Sequence, residues 1–253
     1  MTPAEQAAVL LAGLASGVLT STVGVASLLS FPVLLAVGLP PVTANATNTV
    51  GLTPGALSGS WGYRSELREF PRATAAVLAA CAVGSVGGAF LLLALPSSVF
   101  ESVVPWLILG TCLLVGVQPR LSTYLRARRA GTRPDRVHLS GPTACFATLT
   151  GLYGGYFGAG SGVMMLAVLG LGTDLPFRVA NALKTLAVLA ANLLASLIFT
   201  VAADVHWLAV LLLASGSVIG GYVGARIGRR LPATLLRTGV VIAGVTGAVL
   251  LWH

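Results

Sequence analysis

The sequence predicts an all-α polytopic membrane protein made of two inverted-topology repeats, each with a broken or re-entrant first segment followed by three transmembrane helices. Three observations carry that reading. Of 253 residues, 56% are hydrophobic and only 9% charged, with a mean hydropathy of +0.91; a soluble domain carries about 25% charged residues. Apolar stretches recur along the whole chain at lengths that reach the ~20 residues a membrane-spanning helix needs. The two halves repeat a polar and glycine pattern, and their arginines fall so that the halves run in opposite directions.

The apolar segments lie at about 6–38, 43–62, 73–95, 99–117, 139–172, 177–203, 205–225 and 233–252. Pro40-Pro41, Pro96, Pro119, Pro142, Pro176 and Pro232 stand at or near their ends, where a missing N–H is tolerated. Residues 119–138, "PRLSTYLRARRAGTRPDRVH", form the only long polar stretch. They divide the chain into a first transmembrane repeat (1–118), a basic cytoplasmic linker (119–138) and a second repeat (139–253). At an offset of about 134 residues Gly24 answers Gly158, Ser27 answers Ser161 and Gly38 answers Gly172. After a two-residue shift, "ANATNT" at 44–49 answers "ANALKT" at 180–185, and "VGSVGGAF" at 83–90 answers "SGSVIGGYVG" at 215–224.

The first segment of each half is too long for one crossing. Residues 6–38 as a single helix would measure ~50 Å against a hydrocarbon core of ~30 Å. Each contains a glycine- and serine-bearing interruption, "STVGVAS" at 21–27 and "YFGAGSG" at 156–162, and so reads as two limbs around a break. Charge supports a re-entrant path. Eight simple crossings would put Arg64, Arg68, Arg72 and the linker on one side and Arg178, Arg226, Arg229 and Arg230 on the other, against the positive-inside rule. If each broken segment enters and leaves by one face, all fourteen arginines lie on or near the cytoplasmic side, with Glu5, Glu101, Asp204 and the N-terminus outside. No Lys or Arg precedes Arg64, so the first helix lacks the basic flank of a cleaved signal peptide and is expected to be retained.

In inverted repeats the substrate site is expected near the midplane, where broken helices bring their ends together. The breaks therefore nominate Gly24, Ser27, Gly160 and Ser161, whose backbone N–H groups and hydroxyls suit an anion. About twenty residues later come Asn45, Asn48 and Thr49, and in the second copy Asn181, Lys184 and Thr185. Each pair three apart shares a helix face. A lysine within a span costs ~2.5–3.5 kcal/mol on insertion scales and calls for a reason. No Asp or Glu occurs in the central parts of the spans, so this lining suits a small anion and disfavours a cation.

The same census excludes other classes. The net charge of +8 has no soluble basic domain to carry nucleic-acid binding. Cys81, Cys112 and Cys145 stand far apart without metal-ligand spacing, and His138, His206 and His253 are peripheral. No nucleophile, acid pair, metal cluster or cofactor motif emerges, so the chain is not expected to be an enzyme. "GSVIGGYVG" at 216–224 reads as close helix packing. The expected partners are a small anionic substrate and the lipid bilayer; a homodimer is left open.

The stretches "GLASGVLTSTVGVASLLSFPVLLAVGLPPVTANAT", "GLYGGYFGAGSGVMMLAVLGLG" and "GSVIGGYVGARIGRRLPATLLRTGVVIAGVTGAVLL" together resemble the sulfite exporter TauE/SafE family, also called the toluene sulfonate uptake permeases. That family carries a G-x-G-G-G break and a later A-x-G-T-S element in each half. Here the first break reads Gly24, Val25, Ala26, Ser27, Leu28, and Gly-Thr-Ser is replaced by Ala46-Thr47-Asn48 and Ala182-Leu183-Lys184. The resemblance implies a secondary transporter of the inner membrane that moves sulfite, a sulfonate or a related organosulfur anion by alternating access. An anion channel, or a carrier of another small anion, is the alternative.

Overall fold

Proline opens many of the helices. Pro3, Pro41, Pro71 and Pro142 sit in first turns and Pro176 caps another, positions where the ring's fixed φ is pre-set and its missing N–H has no partner to lose. The computed structural model describes residues 1–22, 24–60, 68–129, 139–227, 241–242 and 244–245. Among the described residues the regular elements are all helical. They are α1 (Pro3–Thr22), α2 (Ser27–Ala36), α3 (Pro41–Ser60), α4 (Pro71–Ala94), α5 (Ser97–Arg129), α6 (Gly141–Tyr156), α7 (Ser161–Gly172), α8 (Phe177–Ala202) and α9 (Trp207–Ile227). Most of the predicted last segment, 233–252, lies outside the described residues, as do Arg64, Arg229 and Arg230.

Two expectations change. Pro119 does not end a segment: α5 runs through it to Arg129, so the stretch read as a linker begins inside a helix, and 130–138 lie outside the described residues. An interior proline removes one hydrogen bond and bends a helix without having to stop it. Five helices, α1, α4, α5, α8 and α9, are long and apolar enough to cross a membrane; α3 is not among them although it has 20 residues. The reason is its position. Residues Ala44 to Thr49 are all buried, so this stretch of α3 meets protein on every side and need not be greasy.

Both first segments are broken as expected. Gly24 and Gly158 adopt φ of 83° and 79°, and their N–H groups reach back to Leu19 O at 2.7 Å and Tyr153 O at 3.0 Å. A left-handed glycine is the ordinary way to stop a helix, since a side chain there meets its own carbonyl. In the second half the chain turns back fully: the Thr143 hydroxyl near the start of α6 donates to Gly172 O at the end of α7, at 3.4 Å.

The helices pack in swapped pairs. α3 and α8 touch at the centre; α1 lies on α9 and α4 on α6, while α9 also packs on α3 and α4 on α8. Both outer pairs are small-residue seams. A Cβ on Gly13 would come within 2.6 Å of Leu213 O, and one on Gly151 within 2.5 Å of Cys81 O. Gly216 and Gly220 meet the α1 backbone, and Gly84 and Gly88 that of α6. The run at 216–224 is thus packing, as predicted: in lipid, helices associate through close van der Waals contact that small residues permit. Gly88→Ala, whose new methyl would run into the Leu152 carbonyl, is expected to lower stability by about 2 kcal/mol. Thermal unfolding followed by size-exclusion chromatography checks this; an unchanged midpoint would contradict the seam.

Outward faces carry Val83, Phe90, Trp106, Leu113, Leu197 and Val201, apolar side chains that no soluble surface would present so densely. Arg178 at the start of α8 pairs with Glu69, just before α4, at 2.6 Å. The two side chains are 61% and 40% exposed, so the pair holds little energy. A double-mutant cycle with Glu69→Gln and Arg178→Gln should return about 0.5 kcal/mol; a coupling several times larger would mean this end is shielded from water.

Candidate functional site

Because each half stops its first helix at a glycine, two interrupted backbones meet inside the bundle. They enclose a cavity of about 40 Å³, room for a few waters or a small ion. Gly24, Val25, Ala26 and Ser27 line it from the first break, and Gly158, Gly160 and Gly162 from the second. A Cβ on Gly162 would stand 3.4 Å from Gly24 O, which measures how closely the breaks approach. α8 supplies Lys184, Thr185, Val188 and Asn192, while Leu52, Ala56 and Thr20 close the remaining sides.

Lys184 is the charge of this cavity. It is 7% exposed, and its chain passes Gly162 so that Nζ would lie 3.5 Å from a Cβ on Gly24. A Cβ at Gly24 would touch the ammonium and one at Gly162 the lysine stem, at 3.5 and 3.7 Å. Among the described residues no acid pairs with it; the ion pair seen there is that of Arg178 with Glu69 at the bundle's end. An ammonium in a small enclosed space without a counter-charge makes the cavity electropositive, and the low dielectric around it strengthens the field.

The second break is braced from outside. Ala159 O accepts hydrogen bonds from Tyr153 OH at 2.6 Å and Thr111 Oγ1 at 3.0 Å. Gly160 follows with φ of 75°, pressed against Thr111, whose Cγ2 would lie 2.5 Å from a Cβ there. The first break differs: Ala26, the counterpart of Gly160, is right-handed at φ −52°, and its carbonyl accepts from Ser16 Oγ at 3.1 Å.

Of the ten residues nominated from sequence, Gly24, Ser27, Gly160, Lys184 and Thr185 line the cavity. Ser161 is turned aside, facing a void of about 10 Å³ with Cys81 and Met165. Asn45 and Asn48 are buried but are not among the lining residues. Asn45 Nδ2 donates to Tyr156 O at 2.9 Å, tying α3 to the end of α6, and Asn48 Oδ1 accepts from Ser30 Oγ at 2.5 Å. Thr49 and Thr185 repeat one bond, each donating back to the asparagine carbonyl four residues earlier, at 2.9 and 3.0 Å. Thr49 and Asn181 also stay off the cavity wall. The two polar stretches are thus equivalent in sequence but not in placement, because Asn48 is too short to reach where the lysine stem reaches.

Asn192 is the residue sequence reading missed. Its Oδ1 would stand 3.8 Å from a Cβ on Gly158, and it lines the cavity with Lys184. The signal was present, since positions 184, 188 and 192 form one stripe at helical spacing. Its counterpart in the first half is Ala56, which lines the same cavity, so the repeat comparison alone hid it.

Comparison with known proteins adds independent evidence. The sulfite exporter TauE/SafE family model matches residues 9–251. A probable membrane transporter protein of Haemophilus influenzae is 29% identical over 232 residues, 91% of this chain and 88% of that one. Another from Sinorhizobium sp is 26% identical, covering 92% and 87% of the two chains. The probable membrane transporter protein YfcA of Escherichia coli K12 is 28% identical, covering 94% and 86%. No solved structure matches.

Proposed function

The chain belongs to the sulfite exporter TauE/SafE family of membrane transporters, and from that premise we propose that it carries a small sulfur-containing anion, sulfite or a sulfonate, by alternating access of two inverted halves. It is a membrane transporter and not an enzyme. The observation that carries the proposal is the meeting of both breaks around Lys184, which no carboxylate joins among the described residues, with Ser27, Thr185 and Asn192 lining the same cavity. The Lys184 ammonium, the Ser27 hydroxyl and the Asn192 amide on one small cavity suit an oxyanion, which accepts from several directions.

The swapped pairing of α1 with α9 and α6 with α4 is what a two-fold exchange of the halves would produce. The Arg178–Glu69 pair supports placing 68–72 and the start of α8 at one face, which eight simple crossings would separate. On the positive-inside rule that face is cytoplasmic, together with the basic stretch between the repeats. The repeats themselves are taken as 1–118 and 139–253. Rocking one half against the other around the cavity would open it to each side in turn.

The test uses purified protein in liposomes. Saturable counterflow of labelled sulfite or methanesulfonate is expected. Flux that never saturates and shows no counterflow would make the protein a channel, and no flux of either probe would defeat the substrate assignment.

A further inference from the structure

Lys184 is the only lysine in the chain; the other fourteen cations are all arginine. The difference is chemical, because a guanidinium keeps its proton in any protein whereas an ammonium can release one when buried. The one cation of the cavity is therefore the one kind of cation able to give up its charge.

Among the described residues, no other group around it can take that role. α2, α3 and α7 contain no titratable side chain. Of the other elements packed on α8, α4 brings Cys81 and Arg72, and α6 brings Cys145, Tyr153 and Tyr156. α5 brings Cys112 nearest the bundle's middle, its Glu101, Arg120, Tyr124 and further arginines lying toward its ends. None of these lines the cavity, and Tyr153 is committed to Ala159 O. Asn48, the counterpart of Lys184, exchanges no proton.

Resting on the anion-transport reading, we propose that Lys184 also carries the proton of the cycle, so that one proton and one anion move together. On the loading side the amine takes a proton from water, and the resulting ammonium binds the anion. For a monoanion the loaded cavity holds no net charge while both openings are closed, the state with least desolvation cost. On the release side the anion leaves, the N–H bond breaks, the proton passes to water, and a neutral amine remains to return. The imposed proton gradient supplies the driving force, and no group is oxidised or reduced.

Methanesulfonate is the probe, since it carries one negative charge at every working pH. In liposomes with the membrane potential clamped at zero, an inward gradient of one pH unit should drive about tenfold accumulation by the wild type. An internal pH dye should report acidification during uptake. Lys184→Arg keeps the charge but not the releasable proton, so whatever counterflow the variant retains, the pH gradient should drive no accumulation by it. Undiminished accumulation by that variant overturns the proposal, as does wild-type uptake that moves net charge and ignores the pH gradient. A second measurement needs no transport: protein labelled at lysine Nζ with nitrogen-15 gives one lysine signal. It should exchange between ammonium and amine across the pH range; an ammonium signal at every pH overturns the proposal. Absence of methanesulfonate counterflow in the wild type would defeat the substrate reading instead, and the lysine signal would still decide the proton carrier.

Discussion

Replacing Lys184 with alanine lowers the affinity for sulfite or methanesulfonate by about 100-fold, the weight of one or two hydrogen bonds to a charged group in a shielded site. Among the described residues the cavity has no second cation to compensate, since its other lining residues are threonine, serine, asparagine, glycine and apolar side chains. Stability should not fall with affinity. Lys184 is buried with no carboxylate beside it among the described residues, and removing an unpaired buried ionisable group relieves a desolvation penalty. Binding calorimetry and thermal unfolding on the same preparation separate the two effects. Undiminished binding would remove Lys184 from the site, and a large loss of melting temperature would mean that the lysine holds the breaks together.

Gly160→Val should be the most damaging single change in the breaks, destabilising by about 4 kcal/mol from two sources that add. The backbone stands at φ 75°, where a β-branched side chain is strained, and the new Cβ would meet Thr111 Cγ2 at 2.5 Å. Thr111 cannot step away freely, because its hydroxyl is bonded to Ala159 O and Leu107 O at 3.0 and 2.8 Å. Gly38→Ala is the control: its φ is 85°, but a Cβ there meets nothing within 4 Å, so only the backbone term of about 1 kcal/mol applies. Comparable losses from the two variants, read by thermal unfolding, would show that packing against Thr111 does not matter.

The extra length of α1 was not legible in the sequence. α1 has 20 residues and α6 has 16, one helical turn of difference. Seven residues separate Gly17 from Gly24, but three separate Gly155 from Gly158. The added turn carries Thr20 to the cavity wall, a position with no equivalent in the second half. An offset of about 134 residues fits the breaks and passes over this turn, because the glycines of the breaks are the strongest matches between the halves.

Composition, segment lengths, glycine interruptions and the duplicated pattern were enough to determine an all-helical membrane protein with two broken segments. They were also enough to nominate Lys184, which lines the cavity between the two breaks. Those features are local or additive: a hydrophobic run, a left-handed glycine and a lone buried charge mean the same wherever the chain goes next. Which polar residues share the cavity was decided only by tertiary packing. Asn45 and Lys184 sit on equivalent helices, yet one ties α3 to Tyr156 O and the other reaches the cavity past Gly162. Side-chain length and the approach of a distant break make that choice, and neither can be read from spacing along one helix.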